Sequence, residues 1–297
     1  AGEVSNRGLE ASLTVTPVLQ EDLQWDVTAN FNKNVNKVVD LAEGLDTYNL
    51  TAGGVIFGPT IQAREGKAYG AMVQPSLRRD ASGDVVFQRN GVPQTTNSPQ
   101  VVGNFQPDWT GGLSTTVSYK GVTLSAVVDG QVGGDVYSLS NKFGTYSGLV
   151  ESTVADNQRE TGVIPGGVVV PEDATPNENG NYDVEGTDFG EAVGRIPSAS
   201  YWKNWFSAGG GDQFIYDATH AKLQELAITY SLPQRWFNDF ALRRASVSLT
   251  GSNLMFLYKE APNIDPSVTL GAGNVQGVES AQIPPQRQYT FRVNLSF

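Results

Sequence analysis

The sequence predicts an all-β protein whose antiparallel strands suit a transmembrane β-barrel better than a soluble sandwich. Three observations carry this. Apolar and polar residues alternate with period two over several long stretches, and period two puts successive side chains on opposite faces of a sheet. Connections between these stretches are either very short or very long, the habit of barrels with one tight rim and one elaborate rim. No run of about 18 apolar residues occurs, so a spanning helix is ruled out and strands are the only way across a bilayer.

The first stretch, 9–17, places Leu9, Ala11, Leu13 and Val15 on one face and Glu10, Ser12, Thr14 and Thr16 on the other. Residues 22–32 repeat the design with Leu23, Trp25, Val27, Ala29 and Phe31. The link at 18–21 is short enough to make the two a hairpin. The pattern returns at 113–119, turns at Lys120-Gly121, and continues at 122–128 with Val122, Leu124, Ala126 and Val128. It recurs at 223–230, 245–251 and 289–297, the last with Tyr289, Phe291, Val293, Leu295 and Phe297 alternating with polar residues. Residues 67–78 and 84–89 are weaker strand candidates. About seven firm strands result, several near the roughly 9–11 residues that cross a bilayer at a tilt. Long extracellular loops are expected near 33–66, 132–219 and 259–286. With the carboxy-terminus periplasmic, every firm short turn falls on one side, provided 67–90 supplies an even number of strands.

Composition narrows the function. The chain has 297 residues and a net charge of −11, from 20 Lys plus Arg and 31 Asp plus Glu. Such a surface repels nucleic acid. There is no cysteine and a single histidine, His220. No disulfide framework or Cys-based metal site can form, and a catalytic triad would have to use His220. At the start of a strand, His220 reads as a structural rim residue. No catalytic residue, cofactor or metal is predicted. The acidic stretch 172–190 does not fit a calcium loop and reads as solvated. Ala1 is not an initiator methionine and no signal peptide follows it, so the sequence predicts a piece of a longer protein.

Two groups of residues attract functional readings. The longest loop carries "SYWKNWF", with Tyr201, Trp202, Trp205 and Phe206 available to contact a substrate or a lid, or to pack the loop itself. The terminal strand Tyr289, Phe291, Val293, Leu295 and Phe297 suits a barrel-assembly signal, because an alternating strand with an open edge can template onto another sheet. Trp25, Tyr119, Tyr230, Trp236 and Tyr289 lie near strand ends, where interfacial girdles or plain packing would place them.

Several stretches, taken together, resemble the SusC/RagA-type TonB-dependent transporters of the outer membrane: "NRGLEASLTVTPVLQEDLQWDVTANFNKNVNKVVDL" (6–41), "EGKAYGAMV" (65–73), "PDWTGGLSTTVSYKGVTLSAVVDGQVGGDVYS" (107–138), "YDATHAKLQELAITYSLPQRWF" (216–237), "LRRASVSLTGSNLMFLYKEAPNIDPSV" (242–268) and the terminal "QYTFRVNLSF". The resemblance implies a roughly 22-stranded barrel enclosing an amino-terminal plug, a SusD-like surface lipoprotein as lid, and import of oligosaccharides or peptides driven by TonB. Residues 1–297 match only the carboxy-terminal segment of that barrel. Remaining strands, plug and TonB contact are therefore expected from another segment or chain, with outer-membrane lipid as a further partner. The alternatives are a plug-less passive or structural barrel and a soluble β-sandwich glycan-binding or adhesin module.

Overall fold

The computed structural model describes residues 2–51, 55, 57–208, 211–236, 242–271 and 273–297. Seven strands make one sheet: β1 (Glu3–Leu19), β2 (Leu23–Asp40), β3 (Trp109–Tyr119), β4 (Val122–Val132), β5 (His220–Ser231), β6 (Arg244–Lys259) and β7 (Gln288–Ser296). They follow one another across the sheet in chain order, each antiparallel to the next. The doubtful stretches at 67–90 add no strand to this sheet, so direction alternates without a break.

That alternation sorts the connections. Residues 20–22, 120–121 and 232–243 lie at one end, with 237–241 outside the described residues. The described residues of 41–108, 133–219 and 260–287 lie at the other. The tightest link is the Lys120-Gly121 turn, with φ +47° and +86°. Positive φ at both central residues gives the turn a twist that matches its flanking strands.

Register turns the alternation into two chemically distinct faces. One row of directly paired residues runs Trp25, Val117, Leu124, Ile228, Leu249 and Phe291, from β2 to β7. The neighbouring row runs Gln24, Ser118, Thr123, Thr229, Ser248 and Arg292. Paired residues share a face, so the first row is apolar across six strands and the second polar across the same six. A slip of one residue would exchange them. On the apolar face the Trp25 indole donates to Thr115 Oγ1 at 2.8 Å.

The long connections carry folded structure of their own. Strand β2 runs on to Asp40, past residue 33 where a loop is expected. Residues 47–49, 60–64, 71–74 and 100–104 form a separate four-stranded sheet. Residues 135–138 pair with 215–217 on one side and with 278–279 on the other. Helices α1 (Leu139–Tyr146) and α2 (Ser198–Ser207) interrupt the longest connection. Ile61 and Met72, Phe105, Tyr137, Leu139 and Phe214, and Val278 form one buried cluster drawn from all three connections. Loops this long need a core of their own to be ordered. They share one, so the mouth end is a packed body.

Candidate functional site: a polar cleft between wall and mouth

Between the polar face of the wall and the mouth body lies an open cleft of about 910 Å³. The wall contributes Asn30, Thr110, Asp129, Gln131 and Gln224; the mouth contributes Asp135, Ser267, Thr269 and Gln276. Register explains the wall set. Asn30 pairs with Gly112, which pairs with Asp129, and Thr110 pairs with Gln131, all on the polar face. Gln224 sits where the β5 register slips between Leu223 and Glu225. Its Nε2 donates to both oxygens of Asp129, at 3.0 and 2.9 Å.

Two carboxylates give the cleft its sign. Asp135 accepts the Asn104 amide at 2.7 Å. Burial pushes its carboxyl above the usual carboxylate range; the Asn104 bond opposes this, while Asp217 and Asp108 reinforce it. Asp217 stands directly opposite Asp135 in the mouth sheet. No Lys or Arg is among the lining residues. The lining of amides, hydroxyls and carboxylates offers hydrogen bonds to neutral polar solutes and repels anions. His220 touches the cleft, but its Nδ1 lies 2.8 Å from the Ala218 carbonyl and its ring packs edge-on to Phe256. Among the described residues no group of three or more His, Asp or Glu could hold a metal ion.

The cleft roof is tied to the wall at a buried ion pair. Lys222 Nζ lies 2.8 Å from Asp265 Oδ2, with 5% and 10% of the side chains exposed. Oδ1 of Asp265 accepts the Ser267 amide at 3.0 Å and its hydroxyl at 2.5 Å. A second buried carboxylate, Glu279, accepts both the Ser138 and Ser140 hydroxyls, at 2.7 and 2.6 Å, and the Ala281 amide at 2.8 Å. Ser138 caps α1 through the Asn141 amide, so Glu279 fixes the third connection to the start of that helix.

The aromatic residues singled out in the longest loop divide in two. They lie on α2 at helical spacing, with Tyr201 above Trp205 and Trp202 above Phe206. Tyr201 and Trp205 are 7% and 8% exposed and pack on Phe87, with Leu77, Val169 and Phe189 completing the cluster. Tyr201 and Trp205 thus pack the loop, one of the readings open to them in the sequence. Trp202 is half-buried against the same cluster. Phe206 stacks on Phe57, Phe143 and Tyr146, with ring centroids 5.5, 5.3 and 4.9 Å away. None of the four lines the polar cleft. In the terminal strand, Tyr289, Phe291, Val293 and Leu295 pair with Gly251, Leu249, Val247 and Ala245 on the apolar face. Phe297 follows the strand and is 75% exposed.

No family model matches the chain. Two proteins of Formosa agariphila match it end to end. TonB-dependent receptor P3 is 23% identical over 322 residues, and TonB-dependent receptor P26 is 25% identical over 319. This chain is similar to the TonB-dependent receptors of SusC/RagA type. It spans 29% of the length of each of these receptors. Among solved structures, the RagAB peptide importer in its closed-closed state superposes with a TM-score of 0.63 at 22% identity, over all of this chain and 30% of that one. The open-open state gives 0.62 at 21% identity, over all of this chain and 29% of that one. The fold is that of part of such a receptor barrel.

Proposed function

We propose that this chain is the carboxy-terminal wall and mouth segment of a TonB-dependent outer-membrane importer that takes up oligosaccharides or peptides. The carrying observation is the two-faced sheet. On the apolar face Leu13, Tyr289 and Phe291 are 64%, 71% and 69% exposed, and they belong to a band that crosses the sheet. Water-soluble monomers rarely expose apolar patches beyond a few hundred Å². Hydrocarbon accepts such a face, and the antiparallel ladder satisfies its backbone groups.

In this reading the apolar face meets lipid and the polar face lines a hydrated lumen. The short turns and the carboxy-terminus lie in the periplasm and the packed mouth lies outside the cell. Strands β1 and β7 are the two edges of the sheet, and further strands of a barrel of about 22 close it. A plug inside the lumen carries the TonB contact. A SusD-like surface lipoprotein closes the mouth, with Trp202 and Phe206 as its nearest aromatic contacts. The polar cleft is the first wall surface that an entering solute meets, and its acidic lining suits neutral or cationic solutes. The likeness to a peptide importer and to receptors of a SusC-like kind supports the import reading.

The test is uptake by cells carrying the intact importer. Asp129→Ala together with Gln224→Ala is expected to lower uptake of the cognate oligosaccharide or peptide while the amount of importer in the outer membrane stays constant. Unchanged uptake would remove the cleft from the path. Recovery of the protein from the aqueous fraction without detergent would overturn the membrane reading and leave a soluble β-sandwich.

A further inference from the structure

The apolar face is not uniform. Near the mouth it carries a hollow of about 470 Å³, lined by apolar residues that include Trp109, Leu113, Val132 and Tyr258, together with residues of the polar face such as Asp129 and Gln131. Register explains the recess. A single row of paired residues runs Ala11, Phe31, Gly111, Gly130, Ala221 and Tyr258. Phe31 and Tyr258 stand on either side of three positions that carry a methyl group or nothing. The floor is backbone: a Cβ on Gly111 would lie 3.0 Å from the Asn30 carbonyl oxygen, and one on Gly130 only 2.2 Å from that of His220. Gly130 is thus held small by the approach of β5 to β4.

Two aromatic side chains, Trp109 and Tyr258, line the hollow, and Trp109 is backed by Phe31. Phe31 and Trp109 rings lie 5.7 Å apart and tilted 32°. On the far side the Tyr258 hydroxyl donates to the Glu260 carboxylate, so a polar rim begins where the hollow ends. One row further along the strands, Leu13, Ala29, Leu113, Val128, Leu223 and Met255 continue the apolar band.

We infer that this hollow holds one acyl chain of a lipid from the leaflet that meets the mouth. The inference rests on the membrane-wall reading. In hydrocarbon an apolar recess left empty forfeits the dispersion contacts of its lining, and acyl chains are what the medium supplies to fill it. The hollow is continuous with the lipid-facing band, and its aromatic walls confine a chain where the flat wall would let it pass. The chain lies along the glycine floor, with its polar end toward Tyr258 and Glu260.

The test uses the intact membrane protein. Its lipids, exchanged for ones with a photoreactive acyl chain, are activated and the labelled peptides mapped. Labelling concentrated on segments 109–113 and 128–132, above other outward segments such as 247–251, is the expected result. Labelling spread evenly along the outward face overturns the inference. Independently, Ala221→Phe, which fills the hollow, is expected to lose one retained lipid by native mass spectrometry in mild detergent. Leu124→Phe, which adds bulk on the flat wall, is expected to lose none. Equal lipid retention by Ala221→Phe and the parent overturns the inference, as does a retained chain that proves to be a protein-linked lipid anchor. A protein that needs no detergent fails the wall reading itself, a different outcome from a membrane protein without a localised lipid.

Discussion

Lys222 on the polar face of β5 and Asp265 in the third long connection meet at 2.8 Å with both side chains almost fully buried. This pair fastens the mouth body to the wall. Lys222 also lies over the Phe256 ring, 5.2 Å from its centroid. Removing one member of a buried ion pair strands the other, which typically costs roughly 3–5 kcal/mol. Asp265→Ala is therefore expected to speed hydrogen exchange across 260–270 while leaving β1–β3 unchanged. Lys222→Met with Asp265→Leu, which removes both charges, is expected to exchange more slowly than the single variant. Equal exchange in all three proteins would mean the pair holds nothing.

The mouth carboxylates predict a local acid response. Burial works against the ionised Asp265, but its bonds from Lys222 and Ser267 outweigh that and hold its carboxyl below the usual range. Asp80 behaves alike: burial opposes ionisation, and the amides of Gly186, Asp84, Ser82 and Gly83 overcome it. A depressed folded value means the stabilisation is complete above the unfolded carboxylate value of about 4 and is lost as pH falls through the lower folded value. Asp135 has the opposite sign, since burial raises it above the usual range, so protonation favours its folded form. Exchange measured below pH 4 is expected to loosen 80–84 and 265–267 without a matching loss of the fold around Asp135. A uniform loss along the mouth would contradict these assignments.

Much of the wall was legible because its side chains obey a two-residue period that no tertiary contact has to supply. The apolar sets of the strands follow from that period, and the grouping of short turns at one end follows from the lengths of the connections between them. The mouth was not legible in the same way. "SYWKNWF" does carry a helical signal, the i, i+4 pairs Tyr201–Trp205 and Trp202–Phe206, but its aromatic richness invites a contact reading. Its burial depends on Phe87, more than a hundred residues away in sequence, and on the fold that brings Phe189 onto the same cluster. The cleft is harder still. Asp129 and Gln224 come together through the β4–β5 pairing and a register slip, and Lys222 finds Asp265 only because the third connection folds back. Nothing local in "HAKLQEL" or "NIDPS" announces either.

The division of the α2 aromatics predicts two classes of variant. Trp205→Ala empties a site in the buried cluster around Phe87, and truncating a buried Trp or Phe costs about 3–5 kcal/mol. Cleavage of the longest connection by protease is expected to accelerate in Trp205→Ala and in Tyr201→Ala. Phe206→Ala removes a stack of half-exposed rings, and its effect is expected chiefly on lipoprotein co-purification. If Phe206→Ala instead unfolds the connection and leaves co-purification unchanged, the contact role of that face is lost.

Adjacent residues on β6 test the two-faced wall most directly. Leu249 belongs to the apolar row and Ser248 to the polar one, and each is paired on both sides by residues of its own kind. An arginine at Leu249 must sit among Ile228 and Phe291, where lipid is expected. Cations on the lipid face of a barrel cost roughly 2–4 kcal/mol near the bilayer midplane. At Ser248 the arginine joins Thr229 and Arg292 on the polar face, where water is expected to solvate it. Leu249→Arg is thus expected to reduce the heat-modifiable, folded barrel in outer-membrane fractions, and Ser248→Arg to leave it near the parent level. Tolerance at Leu249 with failure at Ser248 would invert the faces. Equal tolerance of both would mean that neither face meets hydrocarbon.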